Sequence, residues 1–208
     1  MSTTQRDPTH LVVEGLNGQG WACVPEFLGR EECLALAGDG LARWEEGDFR
    51  KAGVGRGENK VIREDIRRDH VRWLEPESMS AAEGRYLERL EEVRRAINGR
   101  LFLGLFGFEG HFAVYQPGAF YKPHLDRHRE TMDRVVTVIL YLNDGWEEAH
   151  GGQLKLWTTP GDKEGASVIV EPRLGTLVAF MAGDHWHEVL PAEETRMSIT
   201  GWFRVREG

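Results

Sequence analysis

Apolar positions follow two different rhythms along this chain. As far as about residue 108 two stretches repeat every three or four residues, the helical spacing, among a few short strand-like runs, and beyond that all apolar positions come in short alternating or continuous runs. Trp21 to Leu28 reads as a short strand leading into a helix from about Arg30 to Glu46, where Leu34, Ala37, Leu41 and Trp44 recur at helical intervals. A second helix opens at Ser80-x-x-Glu83, which has the form of a capping box. It carries Tyr86, Leu90, Val93 and Ile97 on one stripe and is predicted to end at Asn98-Gly99. Between the helices, Gly47 to Asn59 holds glycines at 47, 53, 55 and 57 among charged residues, the composition of a mobile loop. Val61-Ile62 and Val71 to Leu74 suggest two strands around the polar link Asp65 to Asp69.

From Glu109 onward the helical pattern stops. Eight runs, at 111–115, 119–125, 134–142, 153–157, 167–170, 176–180, 185–190 and 196–205, are separated by Pro, Gly, Asn and Asp turns. That succession fits an all-β barrel or jelly roll. The expected organisation is one domain over 1–208, α+β but mainly β. Residues 1–108 would supply supporting helices, strands and the loop, and 109–205 the β core.

Length and composition agree with one well-packed core, since 40% of the 208 residues are hydrophobic. The net charge of −8 lacks the basic footprint of a nucleic-acid binder, and the local clusters Arg50 to Lys60 and Arg63 to Arg72 read as solvated surface. No apolar run approaches the ~20 residues of a membrane span, and the N-terminus has no signal-peptide profile. Cys23 and Cys33 form no metal-binding pattern and read as packed thiols in a reducing compartment. The expectation is a cytoplasmic protein without nucleic-acid or membrane partners.

The candidate chemistry lies in the β half. On a strand, His124 and Asp126 share a face, and a second histidine would complete the two-His-one-carboxylate set that holds non-haem Fe(II) with open positions. His187 and His185 both qualify, and because they lie two residues apart strand parity does not separate them. Arg196 follows His187 across what reads as a hairpin, with a turn from Pro191 to Thr195. Its planar fork suits a carboxylate, and Ser198 and Thr200 share its face. Thr137, Ile139 and Tyr141 share another face, as do His111, Ala113 and Tyr115. Singly, each of these residues is as well explained as core or structural; together they describe an iron site with an acid-binding clamp.

Several ordered segments then resemble one family. They are Trp21 to Gly29, Asp65 to Trp73, Tyr115-Gln116-Pro117-Gly118, His124-x-Asp126, Arg134 to Thr137, Tyr141-Leu142-Asn143, Gly151 to Leu154, and His187-Glu188-Val189-x-Pro191 with Arg196. From about residue 18 to 205 they resemble the Fe(II)- and 2-oxoglutarate-dependent prolyl hydroxylase domain enzymes, the group of the hypoxia-sensing hydroxylases and of bacterial relatives acting on elongation factor Tu.

The resemblance implies a double-stranded β-helix with iron held by His124, Asp126 and His187, and it selects His187 over His185. It assigns Arg196 and Tyr141 to the distal carboxylate of 2-oxoglutarate, Tyr115 to its chelating end, and Thr200 nearby. Arg134 and Trp202 would line the prolyl substrate, the 47–60 segment would fold over it, and no catalytic group beyond the iron ligands is implied. The implied reaction consumes O₂ and 2-oxoglutarate, with ascorbate as a possible support. It releases succinate and CO₂ and hydroxylates a prolyl residue, at C4, in a protein such as elongation factor Tu. His111, where an apolar residue is usual, and Asp184-His185-Trp186 depart from the pattern. Nucleic-acid demethylases of the wider superfamily carry a further Arg six positions after the clamp, where this chain has Trp202. Hydroxylation of a free amino acid or other small molecule, and a non-catalytic jelly-roll binder, are the alternatives.

Overall fold

The structure is a computed structural model and describes residues 7–54, 61–127 and 131–206. Three helices precede or interrupt the early strands: α1 (Pro8–Gln19), α2 (Arg30–Glu45) and α3 (Ala81–Leu101). Strands β1 (Trp21–Val24), β9 (Leu177–Met181), β6 (Arg134–Tyr141), β11 (Arg196–Arg204), β4 (Gly107–Tyr115), β3 (His70–Trp73) and β2 (Arg50–Lys51) form a seven-stranded antiparallel sheet in that order. A smaller sheet runs β5 (Tyr121–His124), β10 (His187–Val189), β7 (Leu154–Trp157), β8 (Ser167–Val170). This is the mainly β jelly-roll arrangement that the eight runs predict.

Strand alternation divides the large sheet's side chains between two environments. Phe112, Val114, Val136, Val138, Leu140, Ile199 and Phe203 pack in one cluster with Val12, Leu16, Leu36, Tyr86, Leu90, Val93 and Ile97 of the helices. Their alternate neighbours face the small sheet. Covered on both sides, β6 reads Val-Val-Thr-Val-Ile-Leu between its end residues with scarcely an exposed position, so Thr137, the polar residue within that run, needs a buried partner.

The helices differ from the sequence expectation in detail. α1 is unpredicted by the periodicity, although its signals are present: Asp7 accepts from the Thr9 backbone N–H, Pro8 stands at the first position, and Gly20 closes the helix in the left-handed region. On α2 the buried stripe is Cys33, Leu36 and Gly40, while Leu34 and Leu41 are exposed. The stripe turns this way because Gly40 lets the helix approach the sheet; a Cβ there would meet Met197 Sδ at 2.6 Å. α3 begins at the predicted capping box but ends at Leu101. Asn98 does not stop it, and instead exchanges two side-chain hydrogen bonds with the backbone of Leu105.

Further corrections concern the strands and loops. β4 starts at Gly107, and Val61-Ile62 is no strand, since Val61 makes a single bridge to Val54 and both side chains are exposed. Of the glycine-rich 47–60 segment, residues 55–60 lie outside the described residues. Cys33 is packed but Cys23 is exposed. The basic segment is not all solvated: Arg67 pairs with the buried Asp69, and Arg72 reaches the buried Glu83 at 3.3 Å.

The largest correction is topological. His187–Val189 and Arg196–Arg204 are not a hairpin, because β10 pairs with β5 and β7 while β11 pairs with β4 and β6 in the facing sheet. The connecting chain is tied down on the way: Leu190 N–H donates to Gln153, Ala192 N–H to Ala119 and Glu193 N–H to His150. Alternation and a turn signal identify two neighbouring strands but not the sheet each one joins.

On the helix side of the large sheet, Gly110 and Gly201 face each other across β4 and β11. A Cβ on Gly201 would lie 2.3 Å from Phe108 Cζ and 2.4 Å from the Glu109 carbonyl oxygen, the second of which is ladder backbone. Gly201→Ala is expected to cost about 1–3 kcal/mol through overpacking. Thermal unfolding followed by circular dichroism should show a Tm several degrees lower.

Candidate active site

A cavity of about 550 Å³ lies between the two sheets. Its walls include His111, Ala113 and Tyr115 of β4, Ile139 of β6, Arg196, Thr200 and Trp202 of β11, and His124, Asp126, His187 and Val189 from the opposite side. The residues predicted for iron, co-substrate and substrate therefore converge, although they come from two sheets.

His124 ends β5, His187 opens β10 opposite it, and Asp126 sits in the bend just past β5 rather than on the strand itself. Their ligand atoms all lie within 4.8 Å of one another. His124 Nδ1 is 2.8 Å from the Lys122 carbonyl and His187 Nδ1 3.2 Å from the His185 carbonyl. A carbonyl only accepts, so each Nδ1 carries the proton and each Nε2 presents a lone pair. Those Nε2 atoms stand 3.6 and 3.4 Å from the two oxygens of Asp126.

Electrostatics prepare the same state. Burial pushes the His187 imidazole down to about 4, and His124 beside it adds to that effect. Burial alone would raise the Asp126 carboxyl, but His187, His124 and the Thr137 hydroxyl hold it well below the ordinary range. Deprotonated carboxylate and neutral imidazoles are the forms that bind a divalent metal, and the donor set fits Fe(II) with an open face.

Thr137 is a site residue to which sequence reasoning gave no role. Its hydroxyl donates to Asp126 Oδ2 at 2.7 Å, which also satisfies the polar side chain of the doubly covered strand. Thr137→Val keeps the shape and removes the donor. It is expected to weaken metal binding by about 10–100-fold, measured by competing Co(II) against a chelator.

His185 is a structural histidine. Fully buried, it holds Nδ1 2.9 Å from the Trp157 carbonyl and packs against Gly20 at the end of α1.

Arg196 is 1% exposed, with no acidic side chain paired to it among the described residues. Its Nη1 donates to Ser198 Oγ at 3.3 Å, its Nε has no hydrogen-bond partner among the described residues, and the rings of Tyr115 and Tyr141 flank it at 4.7 and 5.0 Å. Burial raises both phenols, that of Tyr141 to about 12, so both stay protonated and can donate. A buried cation with donors to spare is costly unless an anion joins it, and the fork accepts a carboxylate in two-point contact. Thr200 lies further along the same face, its hydroxyl 3.5 Å from Ser198 Oγ.

At the next rung Arg134 stacks on the Trp202 ring, centre to centre 3.4 Å, and donates from Nε to Glu109 at 2.9 Å. Across the cavity Arg67 grips Asp69 through two hydrogen bonds of 2.7 and 2.5 Å and covers Tyr121, which also stacks on His124 at 3.5 Å. Arg67, Asp69 and Tyr121 line the cavity without having been predicted. Arg67 and Asp69 both lie just before β3, and the Arg-x-Asp pair of opposite charges two residues apart was the available signal.

Burial first, and Arg67 second, push the His111 imidazole down to about 3. Between that value and the ordinary ~6.5 of a free histidine the unfolded chain takes up a proton that the folded chain refuses, so acid in this window destabilises the fold. His111→Leu should therefore lose less Tm than the parent chain when pH is lowered from about 7 to about 4.

Comparisons with known proteins agree with this arrangement. A family profile described as the 2OG-Fe(II) oxygenase superfamily matches residues 110–204. A Pseudomonas putida prolyl-4-hydroxylase structure aligns with TM-score 0.85 and 41% identity over 96% of this chain and 100% of its own. A Trichoplax adhaerens prolyl hydroxylase, solved with a hypoxia inducible factor oxygen degradation domain peptide fragment, aligns with TM-score 0.83 and 28% identity over 94% and 88% of the two chains. The Caenorhabditis elegans hypoxia-inducible factor prolyl hydroxylase is 29% identical over 92% of this chain, which spans 27% of that protein's length.

Proposed function

This chain belongs to the 2OG-Fe(II) oxygenase superfamily, among its prolyl hydroxylases, and from that premise we propose that it hydroxylates a prolyl residue in a protein, at C4, with elongation factor Tu as the first partner to test. Members of this superfamily use Fe(II), 2-oxoglutarate and O₂. The observation that carries the proposal is the convergence on one cavity of a metal-binding triad, a buried carboxylate clamp, and a wall of Arg134 stacked on Trp202.

Each group has a task in that reaction. His124, Asp126 and His187 would hold the metal from one side and leave the cavity side free. Bound there, Fe(II) supplies the activation of O₂ that is coupled to decarboxylation of 2-oxoglutarate to succinate and CO₂. Arg196, with Tyr141 and Tyr115 beside it, would fix the co-substrate's distal carboxylate and so orient its keto acid end toward the triad. Ile139, Leu154 and Val189 keep water from the reacting region. Trp202 offers a flat surface for a saturated ring, and Arg134 holds that surface in place.

The test is mass spectrometry of a host lysate supplied with the enzyme, Fe(II), 2-oxoglutarate and ascorbate, in parallel with His124→Ala. The expected result is a prolyl peptide one oxygen heavier with the parent enzyme alone, and peptides of elongation factor Tu are inspected first. Oxidation confined to free amino acids would transfer the chemistry to a small-molecule substrate. Absence of any oxidised product together with absence of succinate would refute the enzymatic function.

A further inference from the structure

Two polar groups in the cavity wall remain unexplained by the metal site and the clamp. His111 Nδ1 and Trp202 Nε1 are both buried and have no hydrogen-bond partner among the described residues. Both side chains line the cavity, at 4% and 6% exposure. His111 pairs in register with Thr200 on β11 and with Trp73 on β3, so its ring is framed by Trp73 at 4.9 Å and Trp202 at 5.5 Å. The rung below holds Ser198, to which the Arg196 clamp bonds. The rung above holds Glu109 and Trp202, against which Arg134 stacks. His111 thus stands beyond the clamp and toward the partly exposed Trp73.

Leaving a buried donor or acceptor unmet costs about 1–3 kcal/mol, so a pair of them on one wall calls for a ligand that meets both. Trp202 Nε1–H only donates. His111, neutral and with Arg67 and Arg134 as its cationic neighbours and Asp69 and Asp126 as its anionic ones, can present Nδ1 as an acceptor. One donor and one acceptor, on rings 5.5 Å apart, complement the C=O and N–H of consecutive peptide groups, since extended chain advances ~3.3–3.6 Å per residue. A prolyl residue has no N–H of its own, so the N–H must come from a flanking residue.

We propose that His111 and Trp202 form a main-chain recognition pair for the substrate. The indole N–H would donate to a peptide carbonyl and His111 Nδ1 accept the N–H of a residue next to the target proline. This rests on the prolyl hydroxylase function proposed above. His111 is then a specificity residue for peptides over free amino acids, which have no peptide groups.

The probes are two blocked pentapeptides, Gly-Ala-Pro-Ala-Gly and the same sequence with Ala for Pro. They are titrated into the full chain with Zn(II) and 2-oxoglutarate bound, while the indole N–H resonances are followed by NMR. The parent chain should bind the proline peptide with a shift of the Trp202 resonance. His111→Leu should weaken that binding about tenfold, the equivalent of ~1.4 kcal/mol. His111→Asn, whose amide can stand where Nδ1 stood, should recover most of it, and affinity for 2-oxoglutarate should not change in either variant.

Unchanged peptide affinity in His111→Leu would overturn the pair, as would a loss of 2-oxoglutarate affinity in place of peptide affinity. Binding of neither peptide by the parent chain would overturn it too. If instead both peptides bind the parent chain equally and both weaken in His111→Leu, the pair stands and it is the prolyl preference that fails.

Discussion

Asp126→Ala is expected to abolish 2-oxoglutarate turnover and to lower metal affinity by more than the ~100-fold reached when only a supporting hydrogen bond is lost. Asp126 is the single anionic member of the triad, and it touches both histidines and Thr137. Removing it leaves two neutral imidazoles whose remaining attraction for a divalent cation is weak. The substitution should leave the fold standing, because it deletes a buried charge that owes its ionised state to those same neighbours. Metal titration and succinate release measure the loss, and far-ultraviolet circular dichroism reports the fold. Retained turnover in a folded Asp126→Ala chain would dismiss the triad.

Arg196→Met should move stability and activity in opposite directions. The guanidinium is buried against two tyrosine rings and Ser198, with donors that a co-substrate carboxylate would use. Truncating one partner of a buried hydrogen-bonded charge pair costs about 2–5 kcal/mol, so the KM for 2-oxoglutarate should rise roughly thirtyfold or more. Replacing a desolvated charge by an apolar side chain of similar length should meanwhile raise the Tm of the chain without co-substrate. A 2-oxo acid without the distal carboxylate should be used equally poorly by parent and variant, which separates the clamp from any general damage. An unchanged KM for 2-oxoglutarate would remove Arg196 from the site.

Much of this architecture was legible in the residues because the β half punctuates itself. Turn residues bracket all eight runs, and every run overlaps an observed strand. α3 announced itself through Ser80, Glu83 and a stripe of four large apolar residues. α1 did not, since Val12, Val13 and Leu16 make too short a pattern to stand out and the capping pair Asp7-Pro8 is easily taken for a loop. Leu34 and Leu41 misled on α2 because a helix may approach its sheet most closely along a glycine, and Gly40 carries no hydrophobicity to mark that face.

The site was legible in its members but less so in its supports. His124, Asp126, His187 and Arg196 are chemically conspicuous. Thr137 acts through a neighbour that only the folded chain brings near, and although Arg67 and Asp69 pair locally, a charged segment such as Arg63 to Arg72 does not mark which of its residues turn inward. The false hairpin at 187–200 has the same origin: local pattern contains the strands but not the long-range pairing.

The order in which the strands occupy their sheets has a consequence for how the protein is made. β10 and β11, the last two strands among the described residues, take interior places, β10 between β5 and β7 and β11 between β6 and β4. Each acts as a keystone. A nascent chain emerging from the ribosome as far as residue 186 has two of the three metal donors but neither His187 nor Arg196, and both of its sheets are open at the centre. A redox-active ion caught in such a half-built site would sit beside exposed, unfinished polypeptide. β10 completes the donor set and the small sheet in one step, and β11 then completes the clamp and the large sheet in another, so each part of the site is finished only with the sheet that holds it.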